Sequence, residues 1–388
     1  MPKVVIEKCA DYAPERVRAA LENALEPLGG LDWVRPGMRI CVKANLVSGL
    51  KPEQAATTHP ALLCALTEML KERGANVVVG DSPGGLYNAM YVGRIYNIAG
   101  MKQVEAAGAA LNRDFGESEG VIPEAKIAKR ITYTSWLDGA DAIIDFCKLK
   151  SHGMMSMSAA VKNLFGTIPG TMKPEYHFKY PNETDFAEML VDLNLFFKPR
   201  LAIVDAVVGM EGNGPTAGTP RQIGCVVASD STFHADLVCA RIMGLGMKDV
   251  PTIRAAHERG LCPASADEVD VAGDLAGVCV PDYQNILSHR SIRFQGDGRG
   301  TQKLIGQAME KFLTSRPQVK PDECVGCGVC AKTCPAKAID MATKKPVIDR
   351  SKCIRCFCCQ EFCPKGAMKV HRPFIARLLN KAPGNGGK

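Results

Sequence analysis

Cys324-Val-Gly-Cys-Gly-Val-Cys-Ala-Lys-Thr-Cys-Pro335 and Cys353-Ile-Arg-Cys-Phe-Cys-Cys-Gln-Glu-Phe-Cys-Pro364 both carry the spacing C-x2-C-x2-C-x3-C-P. The two stretches hold nine of the seventeen cysteines. Three thiols set two residues apart wrap a tight loop around one corner of an iron–sulphur cube, while the fourth, carried off on the following helix, ligates the other cluster. The spacing therefore assigns Cys324, Cys327, Cys330 and Cys363 to one [4Fe-4S] cluster and Cys334, Cys353, Cys356 and Cys359 to a second. Cys358 is a further thiol, either a packing cysteine or an alternative ligand. A disulfide framework and structural zinc compete on cysteine count alone. Zinc sites, however, pair C-x2-C knuckles and do not repeat a triplet with a C-x3-C-P exit.

Working outward, 388 residues at 46% apolar content allow two or three domains with a sizeable core. The chain shows no signal-like start and no run of eighteen apolar residues, so a soluble, cytoplasmic protein without a membrane span is expected. The other eight cysteines are scattered singly, as buried thiols in a reducing compartment would be. The net charge of +7 is uneven: residues 301–388 carry 17 Lys+Arg against 6 Asp+Glu. Each oxidised cluster with its thiolates contributes about two negative charges, so these cations are read as balancing clusters and steering an acidic redox partner protein. Nucleic-acid binding is not expected, because no aromatics that could stack on bases are interleaved with the charges.

Upstream of the cysteines the chain alternates strand, helix, strand, helix, strand: 3–9, 14–27, 39–46, 60–73 and 76–82. That order predicts an α/β domain over 1–295, with a mostly parallel sheet and helices on both faces. A linker with a short helix follows over 296–318, then a small α+β two-cluster ferredoxin-like domain over 319–371 and a tail over 372–388. In such sheets ligands bind beyond the C-terminal ends of the strands. Lys43 and Asn45 emerge there, as do Asp81 and Ser82 in Asp81-Ser-Pro-Gly-Gly85, which is either an anion-wrapping loop or an ordinary tight turn. A strand over 142–149 delivers Lys148, Lys150 and His152, and Lys162 and Asn163 follow. Such cations cannot all be buried without anionic partners, so they mark a site for a small carboxylate or phosphate; a solvated face is the alternative. His177 is placed in a loop over 173–179 that covers the site. A strand over 201–208 leads to Glu211, Gly212 and Gly214. The glycine spacing misses the dinucleotide fingerprint, and a strand follows where a helix is required, so NAD is not predicted. Asp230 stands where a helix N-cap would. The expected roles are catalytic for Lys150, His152, Lys162 and Glu211. Lys43, Asn45, Asp81, Ser82, Lys148, Asn163, His177, Gly212 and Gly214 are expected to bind ligand.

Residues 319–371 resemble the bacterial two-cluster ferredoxin family, both motifs being whole. The first 290 or so resemble the family called domain of unknown function 362. The matching stretches are Lys43-Ala-Asn-Leu46, with Ala44 where the family usually has Pro, Gly80-Asp-Ser-Pro-Gly-Gly85, Lys148-Leu-Lys-Ser-His152, Val161-Lys-Asn163 and Met210-Glu-Gly-Asn-Gly-Pro215. This resemblance implies an iron–sulphur protein and names no substrate. Three functions stay open: an oxidoreductase whose clusters relay electrons to or from an anion in the α/β domain; a non-redox enzyme with structural or sensing clusters; and a non-catalytic electron carrier or maturation partner. The oligomeric state is not legible.

Overall fold

The computed structural model describes residues 3–286 and 316–371. The last residues of the expected α/β domain from 287, the linker with its short helix up to 315 and the tail from 372 lie outside the described residues.

Among the described residues, nine strands form one mixed, mostly parallel sheet. They are β1 (Lys3–Lys8), β2 (Arg39–Ala44), β3 (Asn76–Gly80), β4 (Ala110–Leu111), β7 (Ala142–His152), β8 (Ser156–Ser158), β9 (Leu201–Glu211), β10 (Thr219–Ser229) and β11 (Asp270–Ala272). Their order is β11-β1-β10-β9-β7-β2-β3-β4, with β8 folded back on β7. β9, β7, β2, β3 and β4 run parallel to one another, and β10 runs against both β9 and β1. β5 (Glu117–Val121) and β6 (Arg130–Thr134) form a separate hairpin. β1 is not the neighbour of β2, because its register along β10 and its parallel edge with β11 carry it to the far side of the sheet.

Helices cover both faces, as side-chain alternation along buried parallel strands requires. α1 (Pro14–Leu25), α2 (Pro60–Lys71), α3 (Ala89–Ile98) and α4 (Lys102–Ala106) pack on the face that receives Ile144 and Phe146 of β7. α5 (Ala160–Asn163), α7 (Glu183–Phe197), α8 (Thr232–Ile242), α9 (Pro251–Glu258) and α10 (Leu275–Val278) lie on the face that receives Cys147 and Leu149. α6 (Lys173–Lys179) replaces the loop expected around His177. Pro174 fits a first helical turn, and Tyr176 and Tyr180, four apart, share one buried side. Ser231, not Asp230, caps α8: its hydroxyl accepts from the backbone N–H of His234, and Asp230 is exposed.

The C-terminal part is small. β12 (Arg316–Val319) pairs with β15 (Met368–His371), and β13 (Ile339–Asp340) with β14 (Val347–Ile348). α11 (Val329–Lys332) and α12 (Cys358–Glu361) follow the two cysteine triplet loops.

Candidate functional site

Even-numbered residues of β7 face α1 and α2, so Lys148 and Lys150 leave the strand on one side, and both are essentially fully buried. Their environments differ. Lys148 lies opposite Asp205 of β9 in register and forms an ion pair with it at 2.7 Å. It also donates to the Tyr12 hydroxyl and the Val208 carbonyl, each at 2.9 Å, which uses all three of its N–H groups. Asp205 in turn accepts from Tyr12 and from the backbone of His59. Lys148 is therefore a buried counter-ion, and the ligand-binding role expected of it is not available.

Lys43 is similarly committed, with an ion pair to Asp81 at 2.6 Å between two buried side chains. The carboxylate also accepts from the Leu46 N–H at 2.7 Å, which ties the ends of β2 and β3 together. Gly166 packs against this pair so closely that a Cβ there would overlap both partners.

A second set of cations faces a narrow cleft. Lys150 donates to Asn45 Oδ1 at 2.9 Å and to the Ala56 carbonyl at 2.7 Å, with no carboxylate in direct contact among the described residues. Lys173 donates to the carbonyls of Ser82 and Ile168. Lys162 lies over the Phe165 ring, 5.7 Å from its centroid, and Lys173 approaches the same ring to 5.2 Å. Burial lowers the Lys150 amine to about 7, with Lys162 adding to the effect. It does the same to Lys173, there opposed by Asp81. Lys162 is also pushed down by burial, against the pull of Glu361. Asn45, Asn163 and Ser82 complete the wall, and the Ser82 hydroxyl is buried without a hydrogen-bond partner among the described residues. The cleft is open to solvent, with an inner space of about 30 Å³.

Other expected site residues are placed elsewhere. Glu211 accepts from the Gln284 N–H at 3.1 Å and faces Arg221, outside the cleft lining. His152 accepts two backbone N–H groups, from Met154 and Met155, on Nδ1. Its Nε2 is buried without a partner among the described residues, and burial holds the ring well below its ordinary pKa. His177 stacks on Phe186 at 4.3 Å, and burial lowers it to about 3. It is a core residue on α6, not part of a loop over the cleft.

The glycine loops serve the C-terminal part. A Cβ on Gly84 would overlap the Phe362 ring and one on Gly85 the Tyr91 hydroxyl, so each glycine of the pair admits an aromatic side chain. Two of the loop's N–H groups are already used, Ser82 donating to Gly166 and Gly84 to Val47. Gln360, fully buried, donates from Nε2 to the carbonyls of Asn213 and Gly214 at 2.9 and 3.0 Å. Asn213 and Gly214 are thus a docking seat, and the neighbouring Gly212 carbonyl is held by Ser151. The same helix, α12, brings Glu361 into the wall of the lysine cleft. Sequence reading missed Lys173, Gln360 and Glu361. Lys173 stood at the start of a stretch read as loop, and the others reach the cleft only through docking of distant segments.

The cysteines fall into two groups. Cys324, Cys327, Cys330 and Cys363 line one small cavity, and Cys334, Cys353, Cys356 and Cys359 line another. Cys358 is fully buried, borders the second cavity and hydrogen-bonds Cys356. No cysteine is in a disulfide. Among the described residues, no three His, Cys, Asp or Glu side chains converge on a single metal ion. Each set of four thiols stands around a space, which suits a cube-shaped cluster better than one tetrahedral zinc.

Comparisons with known proteins agree with this division. The chain belongs to the family described as domain of unknown function DUF362, which matches residues 40–241, and it carries a 4Fe-4S dicluster domain over 316–364. It is an iron–sulphur protein of that family. A thylakoid-associated protein of Synechocystis sp. is 32% identical over 268 residues, covering 68% of this chain and 81% of the relative. Among solved structures, the lactate racemase apoprotein of Thermoanaerobacterium thermosaccharolyticum has a TM-score of 0.40 at 11% identity, over 62% of this chain and 57% of its own. A Thermotoga maritima protein has a TM-score of 0.39 at 13% identity, over 62% and 61%. The chain thus spans about three fifths of each of these two structures. Among the described residues no helix is long and apolar enough to cross a membrane.

Proposed function

We propose that the protein is an oxidoreductase in which two [4Fe-4S] clusters serve a small anion held in the lysine cleft. Cys324, Cys327, Cys330 and Cys363 are the ligands of the first cluster, and Cys334, Cys353, Cys356 and Cys359 of the second. Bound clusters of this kind supply one-electron transfer. The observation that carries the reading is Glu361: the helix that contributes Cys359 also forms a wall of the cleft lined by Lys150, Lys162 and Lys173.

The chain's own residues divide the work. Lys150, Lys162 and Lys173 bind and orient a carboxylate or phosphate, and the free hydroxyl of Ser82 donates to it. Asn45 holds the Lys150 ammonium in place, and the buried Phe357 and Gln360 pack against Gly153, just past the end of β7. At the opposite end Cys327 is exposed, beside Val325 at 62% exposure and the exposed Lys320, Lys332, Lys344 and Lys345. That face suits an acidic redox partner. Unpaired thiols throughout fit a reducing, cytoplasmic setting.

Anion binding tests the cleft. Lys150 and Lys173, both near 7, must be protonated to hold an anion, so affinity is full below that pH and is lost as pH rises through it. Sulfate, which does not titrate in this range, should bind about fivefold more weakly at pH 8 than at pH 7 for each lysine whose proton is required. Calorimetric titration from pH 6 to pH 9 measures this. A flat profile, or a Lys150→Met variant that binds sulfate normally, would remove the cleft from the account.

A further inference from the structure

We propose that a second, larger cavity, between the α/β domain and the cysteine-rich part, binds a small aromatic anion of the flavin mononucleotide class against the wall formed by Cys363. The cavity measures about 570 Å³, against about 30 Å³ for the lysine cleft. That volume is within the usual range of small-molecule sites. Its two halves differ in chemistry. Leu50, Tyr91, Ile95 and Ile98 make an apolar side, the last three from α3. Arg94, Lys365 and Lys369 make a basic side, opposed by the single carboxylate of Glu53.

Lys369 is partly neutralised by Glu323 at 3.3 Å, whereas Arg94 and Lys365 make no ion pair among the described residues. Thr216, also in the wall, has a buried hydroxyl without a hydrogen-bond partner among the described residues. A flat ring on the apolar side with a phosphate against Arg94 and Lys365 uses both halves. A neutral ring or a bare phosphate uses one.

The cavity's position selects a redox-active ring from among aromatic anions. Cys363, Pro364 and Lys365 line both this cavity and the small one shared with Cys324, Cys327 and Cys330. One residue's thickness therefore separates a bound ring from the group that those thiols would hold; that closeness rests on the proposed cluster ligation, whereas the cavity walls do not.

Equilibrium dialysis of the full-length, iron-replete protein with flavin mononucleotide at low ionic strength tests the site, with riboflavin and inorganic phosphate as companion probes. One flavin mononucleotide per chain should bind, and riboflavin should bind at least tenfold more weakly. Arg94→Glu should weaken the nucleotide at least tenfold, and Ile98→Trp, which fills the apolar side, should abolish binding without changing iron content. No retention at millimolar nucleotide, or normal retention by both variants, would overturn the proposal. Iron and sulfide counted on the same samples separate the two readings. Full iron without nucleotide binding removes this site alone, and nucleotide binding without iron removes the cluster assignment while leaving the site.

Discussion

Cys363→Ala should reduce the iron bound by anaerobically prepared protein from about eight to about four atoms per chain, even though Cys363 belongs to the second sequence motif. It should leave intact the cluster that the rest of that motif holds. Cys363 lines a cavity with Cys324, Cys327 and Cys330, and Cys334 has crossed to Cys353, Cys356 and Cys359. Combining Cys363→Ala with Cys327→Ala should therefore lose no more iron than either change alone, because both strike the same cluster. Combining Cys363→Ala with Cys356→Ala should lose nearly all of it. Iron and acid-labile sulfide analysis with the visible spectrum reads the outcome. If Cys363→Ala and Cys356→Ala were the redundant pair, the motifs would each hold their own cluster and the cross-over would be refuted.

The second large effect belongs to the buried ion pair on β7 and β9. Asp205→Ala strands the Lys148 ammonium in a site with no solvent access and removes acceptors from Tyr12 and the His59 backbone. Breaking one side of a buried pair costs about 3–5 kcal/mol. Replacing both partners by apolar residues of similar size, as in Lys148→Met with Asp205→Leu, should recover much of that loss. Urea unfolding of the two variants and the double variant measures the difference. A loss below about 1 kcal/mol for Asp205→Ala would mean that Lys148 is not held as a charged counter-ion, and would return it to the pool of ligand-binding candidates.

These two cases show where sequence reading reaches and where it stops. The thiol spacing is local, so each triplet is legible without the fold, while the exchange of Cys334 and Cys363 between the sets is long-range and is read from the ligation pattern of two-cluster motifs. Strand ends are nearly as legible, since period-two alternation places Lys148 and Lys150 on one side of β7. Which of them is free is not. Lys148 is neutralised by a residue 57 positions away, and Lys150 is left with an amide and a carbonyl. Gly84 and Gly214 have a ligand-loop pattern, yet Phe362 packs on the first and Gln360 donates to the carbonyl of the second, both placed by docking of a segment some 150 to 280 residues downstream. The position of β1 across the sheet from β2 is likewise a matter of long-range pairing, on which local pattern is silent.

Helix α12 carries both Cys359 and Glu361, which puts the second cysteine set and the lysine cleft close enough to influence each other electrically. An EPR-monitored potentiometric titration with and without sulfate tests it most directly. Sulfate in the cleft adds negative charge next to one cluster, so that cluster's midpoint potential should fall by about 50 mV while the other stays put. The responding signal should be the one that Cys356→Ala removes, and the shift should vanish in Lys162→Met. Two potentials that both ignore sulfate, or a shift confined to the signal that Cys327→Ala removes, would contradict the account.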